Sequence, residues 1–147
     1  MTAQDQTSRG FSTAHPEVYR FPFPAFPNGW FALCFADEVL PGAVLALHRL
    51  GRDLVAWRDG EGAVRVADAY CPHLGAHFGH GGAVIDGELR CPFHHWRYDG
   101  SGACTYAAGA KRLPAGAKLH LLPALERNRL VFAWHDAAGR APAYEID

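Results

Sequence analysis

No stretch of this 147-residue chain approaches the roughly 18 consecutive apolar residues that cross a bilayer, so no membrane anchor is expected. The first fifteen residues, MTAQDQTSRGFSTAH, lack the apolar centre of a signal peptide and read as a frayed tail reaching to about residue 18. With no export signal in view, the expected location is the cytoplasm. An excess of one charge sign is also missing. The 14 Lys and Arg stand against 15 Asp and Glu, a net charge of −1, and the basic residues are scattered, so nucleic acid is not an expected partner. Internal repeats, low-complexity tracts and amphipathic stretches long enough for a helix are absent as well. Cysteine is sparse. Four cysteines without a signal peptide are expected as metal or redox ligands, or as buried thiols, rather than as a disulfide framework.

What is present suits one β-rich domain over residues 19–147, because 49% apolar and 20% charged residues can build a core unaided at this length. Residues 21–28, FPFPAFPN, alternate proline with apolar residues, which forbids helix and suits an extended arm. Short runs rich in β-branched and aromatic residues follow at Trp30–Ala36, Ala43–Arg49, Asp53–Arg58 and Ala63–Ala67. Leu50-Gly51-Arg52 and Asp59-Gly60-Glu61-Gly62 supply turns between them, and the four runs are expected to form a meander. Lys118–Leu122 and Leu130–Trp134, joined through Glu126-Arg127-Asn128, are expected to return to the same sheet. The fold class is therefore all-β. Between the two groups, residues 69–106 lose periodicity and become dense in Gly, His, Cys and Pro, as an inserted site would.

That segment carries the chemistry. His73, His77, His80, His94 and His95, five of the nine histidines, lie between Cys71 and Trp96. The pattern is Cys71-Pro72-His73, seventeen intervening residues, then Cys91-Pro92-Phe93-His94. A Cys and a His with one or two residues between them can be delivered by one tight loop, so two such loops facing each other make a four-point cage. Thiolate with imidazole narrows the metal to zinc or iron–sulfur. A structural Cys₂His₂ zinc site is the plainer alternative, and the flanking Pro, Gly and Trp favour the cluster. The glycines Gly75, Gly79, Gly81 and Gly82 are turn formers that would also let backbone amides approach sulfides.

CPHLGAHFGHG followed by CPFHHWRYDGSG resembles the Rieske [2Fe–2S] domain of the ring-hydroxylating oxygenase superfamily. Similarity from PNGWFAL to FAWHD extends the resemblance to the branch of ketosteroid hydroxylases and cholesterol desaturases. It implies two antiparallel sheets as a base, with a smaller cluster-binding sheet inserted at about residues 69–106. It implies one [2Fe–2S] cluster, with Cys71 and Cys91 on one iron and His73 and His94 on the iron that accepts the electron. It also implies one-electron transfer from a reductase or ferredoxin to an oxygenase-type iron in another domain or polypeptide. The alternative is the cluster domain of an oxygenase acting on a steroid or aromatic substrate.

Ala76 and Phe93 stand where respiratory Rieske proteins have the two cysteines of a loop-to-loop disulfide. Trp96 stands where they have a serine that donates to a sulfide, and Tyr98 keeps their aromatic position. Fewer donors imply a potential in the lower part of the Rieske range of roughly −150 to +300 mV. After FAWHD the oxygenases continue into a catalytic domain with a mononuclear iron, whereas here only His120 and His135 follow the cluster loops and no facial triad is expected. His77, His80 and His95 are expected to be solvated. Cys34 and Cys104 are expected to pack as thiols, and Trp30, Trp57 and Trp134 to fill the core. His15, His48, His120 and His135 have no evident partners.

Overall fold

The computed structural model describes residues 24–147. The expected tail, His15 and the first residues of the proline-rich arm lie outside the described residues. Three antiparallel sheets make up the described chain. The first orders β1 (Gly29–Phe35), β11 (Leu130–His135) and β10 (Ala124–Arg127). The second orders β2 (Leu45–Arg49), β3 (Arg52–Arg58), β4 (Val64–Asp68) and β9 (Leu121–Leu122). A smaller third sheet, β5 (Ala83–Ile85), β6 (Glu88–Arg90), β7 (Arg97–Tyr98) and β8 (Cys104–Tyr106), is inserted between β4 and β9. This is the all-β architecture expected of a base with an inserted sheet.

β3 is the shared wall of two cores. Leu54 and Ala56 pack with Leu33, Val66, Val131 and Ala133 between the first two sheets. Val55 and Trp57 point the other way and pack with Leu89, Tyr98 and Phe78 under the third sheet. A strand covered on both faces needs no polar alternation, which is why Leu54-Val55-Ala56-Trp57 is a continuous apolar run with no exposure. The third sheet is fastened to the second at its first hairpin. Asp86 and Gly87 both take positive φ there, 53° and 79°, as a two-residue turn with the sheet's own twist requires. A Cβ on Gly87 would collide with the Gly60 backbone of the β3–β4 turn, so glycine is needed for contact as well as for φ.

Several sequence expectations change here. Only β2, β3 and β4 form the meander, because β1 pairs with β11 across the molecule. Lys118–Leu122 shrinks to Leu121–Leu122 on β4, preceded by a single bridge between Lys118 and Ala103, while Leu130–His135 joins the other sheet. The hairpin expected through Glu126–Asn128 turns instead at Asn128-Arg129, both with positive φ, so Glu126 and Arg127 belong to β10. Trp57 and Trp134 are core residues, but Trp30 is only half-buried, its indole N–H donating to the Tyr144 carbonyl at 2.9 Å. No helix among the described residues is long and apolar enough to cross a membrane.

Candidate metal centre

Two loops rise from neighbouring strands to one end of the molecule. The first runs from Tyr70 to Gly82 between β4 and β5, the second from Cys91 to Trp96 between β6 and β7. They are built alike. In each, the cysteine N–H donates to the carbonyl five residues on, Cys71 to Ala76 at 2.9 Å and Cys91 to Trp96 at 2.8 Å. In each, the residue four beyond the cysteine is left-handed, Gly75 at φ 76° and His95 at φ 59°. The left-handed step turns the chain back and frees the intervening residues to face the other loop. His95, expected to be merely solvated, therefore also holds the backbone conformation that glycine holds in the first loop.

The four sequence-predicted donors come together as two like pairs. Cys71 and Cys91 are each 2% exposed and lie in the same buried cluster, near enough that the Cys91 thiol bears on the ionisation of Cys71. His73 and His94 meet with ring centroids 5.0 Å apart and planes at 63°, His73 half-buried and His94 exposed. Burial pushes the Cys71 thiol pKa up, against the opposing effects of the Tyr98 hydroxyl and the His73 backbone N–H that point at its sulfur. A metal must therefore displace a proton from Cys71, and the same donors would then stabilise the thiolate. Among the described residues, no three His, Cys, Asp or Glu side chains are disposed to hold a single metal ion. Two sulfur donors beside each other and two imidazoles beside each other instead match a two-metal cluster with unlike ends.

The surroundings supply three contacts. Tyr98, fully buried on β7, places its hydroxyl 3.3 Å from the Cys71 sulfur. Trp96 of the second loop lies flat against His73 of the first, with centroids 3.9 Å apart and planes within 8°. Phe93 sits 3.9 Å from His94, and both Phe93 and Leu74 are exposed beside the histidines. All four cysteines are free. Cys34 packs in the core between the first two sheets, where burial raises its pKa to about 11. Cys104 is half-buried on β8, its thiol directed at the Tyr106 carbonyl.

The remaining histidines have partners that the sequence reading missed. His48 bonds Asp53 at 2.7 Å, and the other oxygen of Asp53 accepts from the Tyr70 hydroxyl at 2.7 Å. The signal was available for the first pair, since His48 and Asp53 face each other across the β2–β3 hairpin. His77 accepts the Gly79 N–H and packs against Tyr70 and His80, so it is half-buried loop structure rather than a solvated residue. His120 bonds Asp68 at 2.8 Å, and His135 packs against Phe26 and Phe31. His120 and His135 both line a cavity of about 630 Å³ with Arg52, Trp134 and Asp136.

Residues 29–120 match the family model described as the Rieske [2Fe-2S] domain. The chain is 41% identical over 123 residues to the cholesterol 7-desaturase nvd of Bombyx mori, covering 84% of this chain and 27% of that protein. It is 36% identical over 121 residues to a 3-ketosteroid-9-alpha-monooxygenase oxygenase component of Rhodococcus rhodochrous, covering 82% and 30%. The crystal structure of apo dicamba monooxygenase superposes with a TM-score of 0.72 at 28% identity, over 82% of this chain and 37% of that one. The chain thus spans between a quarter and a third of the length of these two curated relatives.

Proposed function

Because this chain belongs to the Rieske [2Fe-2S] domain family and so binds one [2Fe–2S] cluster, we propose that it carries single electrons to an oxygenase-type iron. Cys71, His73, Cys91 and His94 would hold the cluster. The observation that carries this reading is the pairing of like donors, Cys71 beside Cys91 and His73 beside His94. The cluster, once bound, supplies a one-electron couple. The chain's own residues do the rest. The two thiols are withdrawn into the core, where water cannot compete for their metal. The imidazole pair stands at the surface, so the shortest path for an electron into a docked partner runs through His94 and His73. Exposed Leu74 and Phe93 rim that exit with apolar surface suited to a partner's face.

The donor would be a reductase or ferredoxin, and the acceptor an iron-bearing catalytic domain or subunit. The identity to a cholesterol desaturase and to a ketosteroid monooxygenase component favours a second, compatible reading, in which the acceptor acts on a steroid. Substrate choice lies in the catalytic part of such proteins, so the cluster domain supports the steroid only by kinship. A zinc module is disfavoured by the match of residues 29–120 to the Rieske [2Fe-2S] domain model.

The deciding experiment counts metals on the purified protein. Two irons and two acid-labile sulfides per chain with a red-brown colour are expected. One zinc without sulfide, and no colour after anaerobic reconstitution with iron and sulfide, would refute the reading. A finer outcome concerns Tyr98. A hydroxyl aimed at the Cys71 sulfur stabilises added negative charge there, and one hydrogen bond of roughly 0.5–1.5 kcal/mol corresponds to about 20–60 mV for one electron. Tyr98→Phe is expected to lower the midpoint by that amount with the cluster intact. Protein-film voltammetry reads it directly.

A further inference from the structure

We propose that Trp96 is a positioning residue that clamps one cluster loop to the other by stacking on His73, a role that rests on the cluster reading above. The loops need such a tie. All four cysteines are free, so no disulfide ties the two loops together.

Trp96 is held on three sides. Its carbonyl accepts the Cys91 N–H at 2.8 Å, so its backbone is fixed to a cluster ligand of its own loop. Its indole is 8% exposed and belongs to the core that also contains Cys71, Cys91, Tyr98 and Trp57. The indole also stacks on the imidazole of His73, with centroids 3.9 Å apart and planes at 8°. A flat stack of this kind fixes the plane of the imidazole as well as its position, because rotating the ring would break contact over its whole face. His94 has no stacked partner on the other loop among the described contacts: it meets His73 edge-on at 5.0 Å, and its nearer ring is Phe93, adjacent in sequence, tilted by 46° and itself 62% exposed. One histidine is thus stacked on a ring rooted in the core, while the other is exposed at the exit.

The test uses the purified holoprotein and the variants Trp96→Leu, which keeps apolar bulk, and Trp96→Phe, which keeps a flat ring. Bleaching of the visible spectrum in excess EDTA measures cluster retention, and the EPR spectrum of the dithionite-reduced protein reports the ligand field of the histidine-bound iron. Trp96→Leu is expected to bleach about tenfold faster, with broadened EPR lines, a factor that corresponds to about 1.4 kcal/mol. Trp96→Phe should fall near wild type in both. Leu89→Ala, a cavity in the same core with no stack on a histidine, is the control for general loosening. It should lower the melting temperature without altering the EPR lines. Should Trp96→Leu assemble no cluster at all, recovery of assembly and line shape in Trp96→Phe supports the clamp. Equal failure of the Leu and Phe variants overturns it, as does a Trp96→Leu protein with wild-type bleaching and EPR. A wild-type protein that carries zinc and no sulfide sinks the cluster reading and the clamp together, whereas a clustered wild type with an indifferent Trp96 sinks only the clamp.

Discussion

Cys71→Ala and Cys91→Ala are each expected to purify colourless and without labile sulfide, while Cys34→Ser and Cys104→Ser keep the full iron and sulfide complement. The asymmetry follows from burial and neighbours rather than from cysteine chemistry as such. Cys71 and Cys91 are 2% exposed in the core under the third sheet, so removing either thiol deletes a sulfur donor from a site that water reaches poorly. Burial raises the Cys71 pKa, so the neutral thiol is favoured there and metal binding must displace its proton. Since metal binding is coupled to folding in such sites, both alanine variants should also melt below the wild-type holoprotein and lose the melting-temperature gain that reconstitution gives it. Cys34 lies in the other core, between the first two sheets, with its thiol pKa raised to about 11. Removing it touches neither loop. Iron and sulfide counts with thermal melts check all four variants, and a coloured Cys71→Ala protein would remove that residue from the site.

The two loops that bring the candidate donors together were legible in the sequence because each loop is local. A cysteine with a histidine two or three residues later, closed by a glycine or another left-handed residue, writes its geometry into a few consecutive positions. The strands that cover both cores were legible for the same reason, since Leu54–Trp57 or Val131–Trp134 is long enough to read as apolar β structure. The third sheet was not legible from periodicity. Its strands are two or three residues long, too short for any alternation to register, and they were expected only through the family resemblance. Lys118–Leu122 misled because its apolar residues serve two ends. Leu119 closes the core under the third sheet, and Leu122 closes the core between the first two. The Trp96–His73 stack and the Tyr98–Cys71 hydrogen bond were invisible for a different reason. Each joins one loop or strand to the other across the inserted sheet, and no local pattern records a contact that only the packed sheet brings about.

His94→Cys is expected to assemble a cluster whose midpoint lies below that of the wild type by roughly half of the 250 mV or more that separates Rieske centres, with two imidazoles, from all-cysteine plant-type clusters. Exchanging neutral imidazole for thiolate adds a negative charge to the iron that receives the electron, so the oxidised state is favoured. A cysteine sulfur also lies nearer the backbone than either imidazole nitrogen, so the loop must move toward the metal to restore the bond. His94 sits on an exposed loop apex beside exposed Phe93 and can be followed by such a shift. His73 cannot, because it lies under Trp96, and shortening it would leave a gap beneath a ring anchored in the core. His73→Cys is therefore expected to assemble poorly, while His94→Cys gives a coloured protein of low potential. Voltammetry on assembled protein tests the charge argument, and an unchanged midpoint in a fully loaded His94→Cys variant would show that His94 is not a ligand. Relative yields of the two variants test the geometric one. With Trp96→Leu added, His73→Cys should gain cluster relative to the single variant, because the loop no longer has to hold its sulfur at imidazole length.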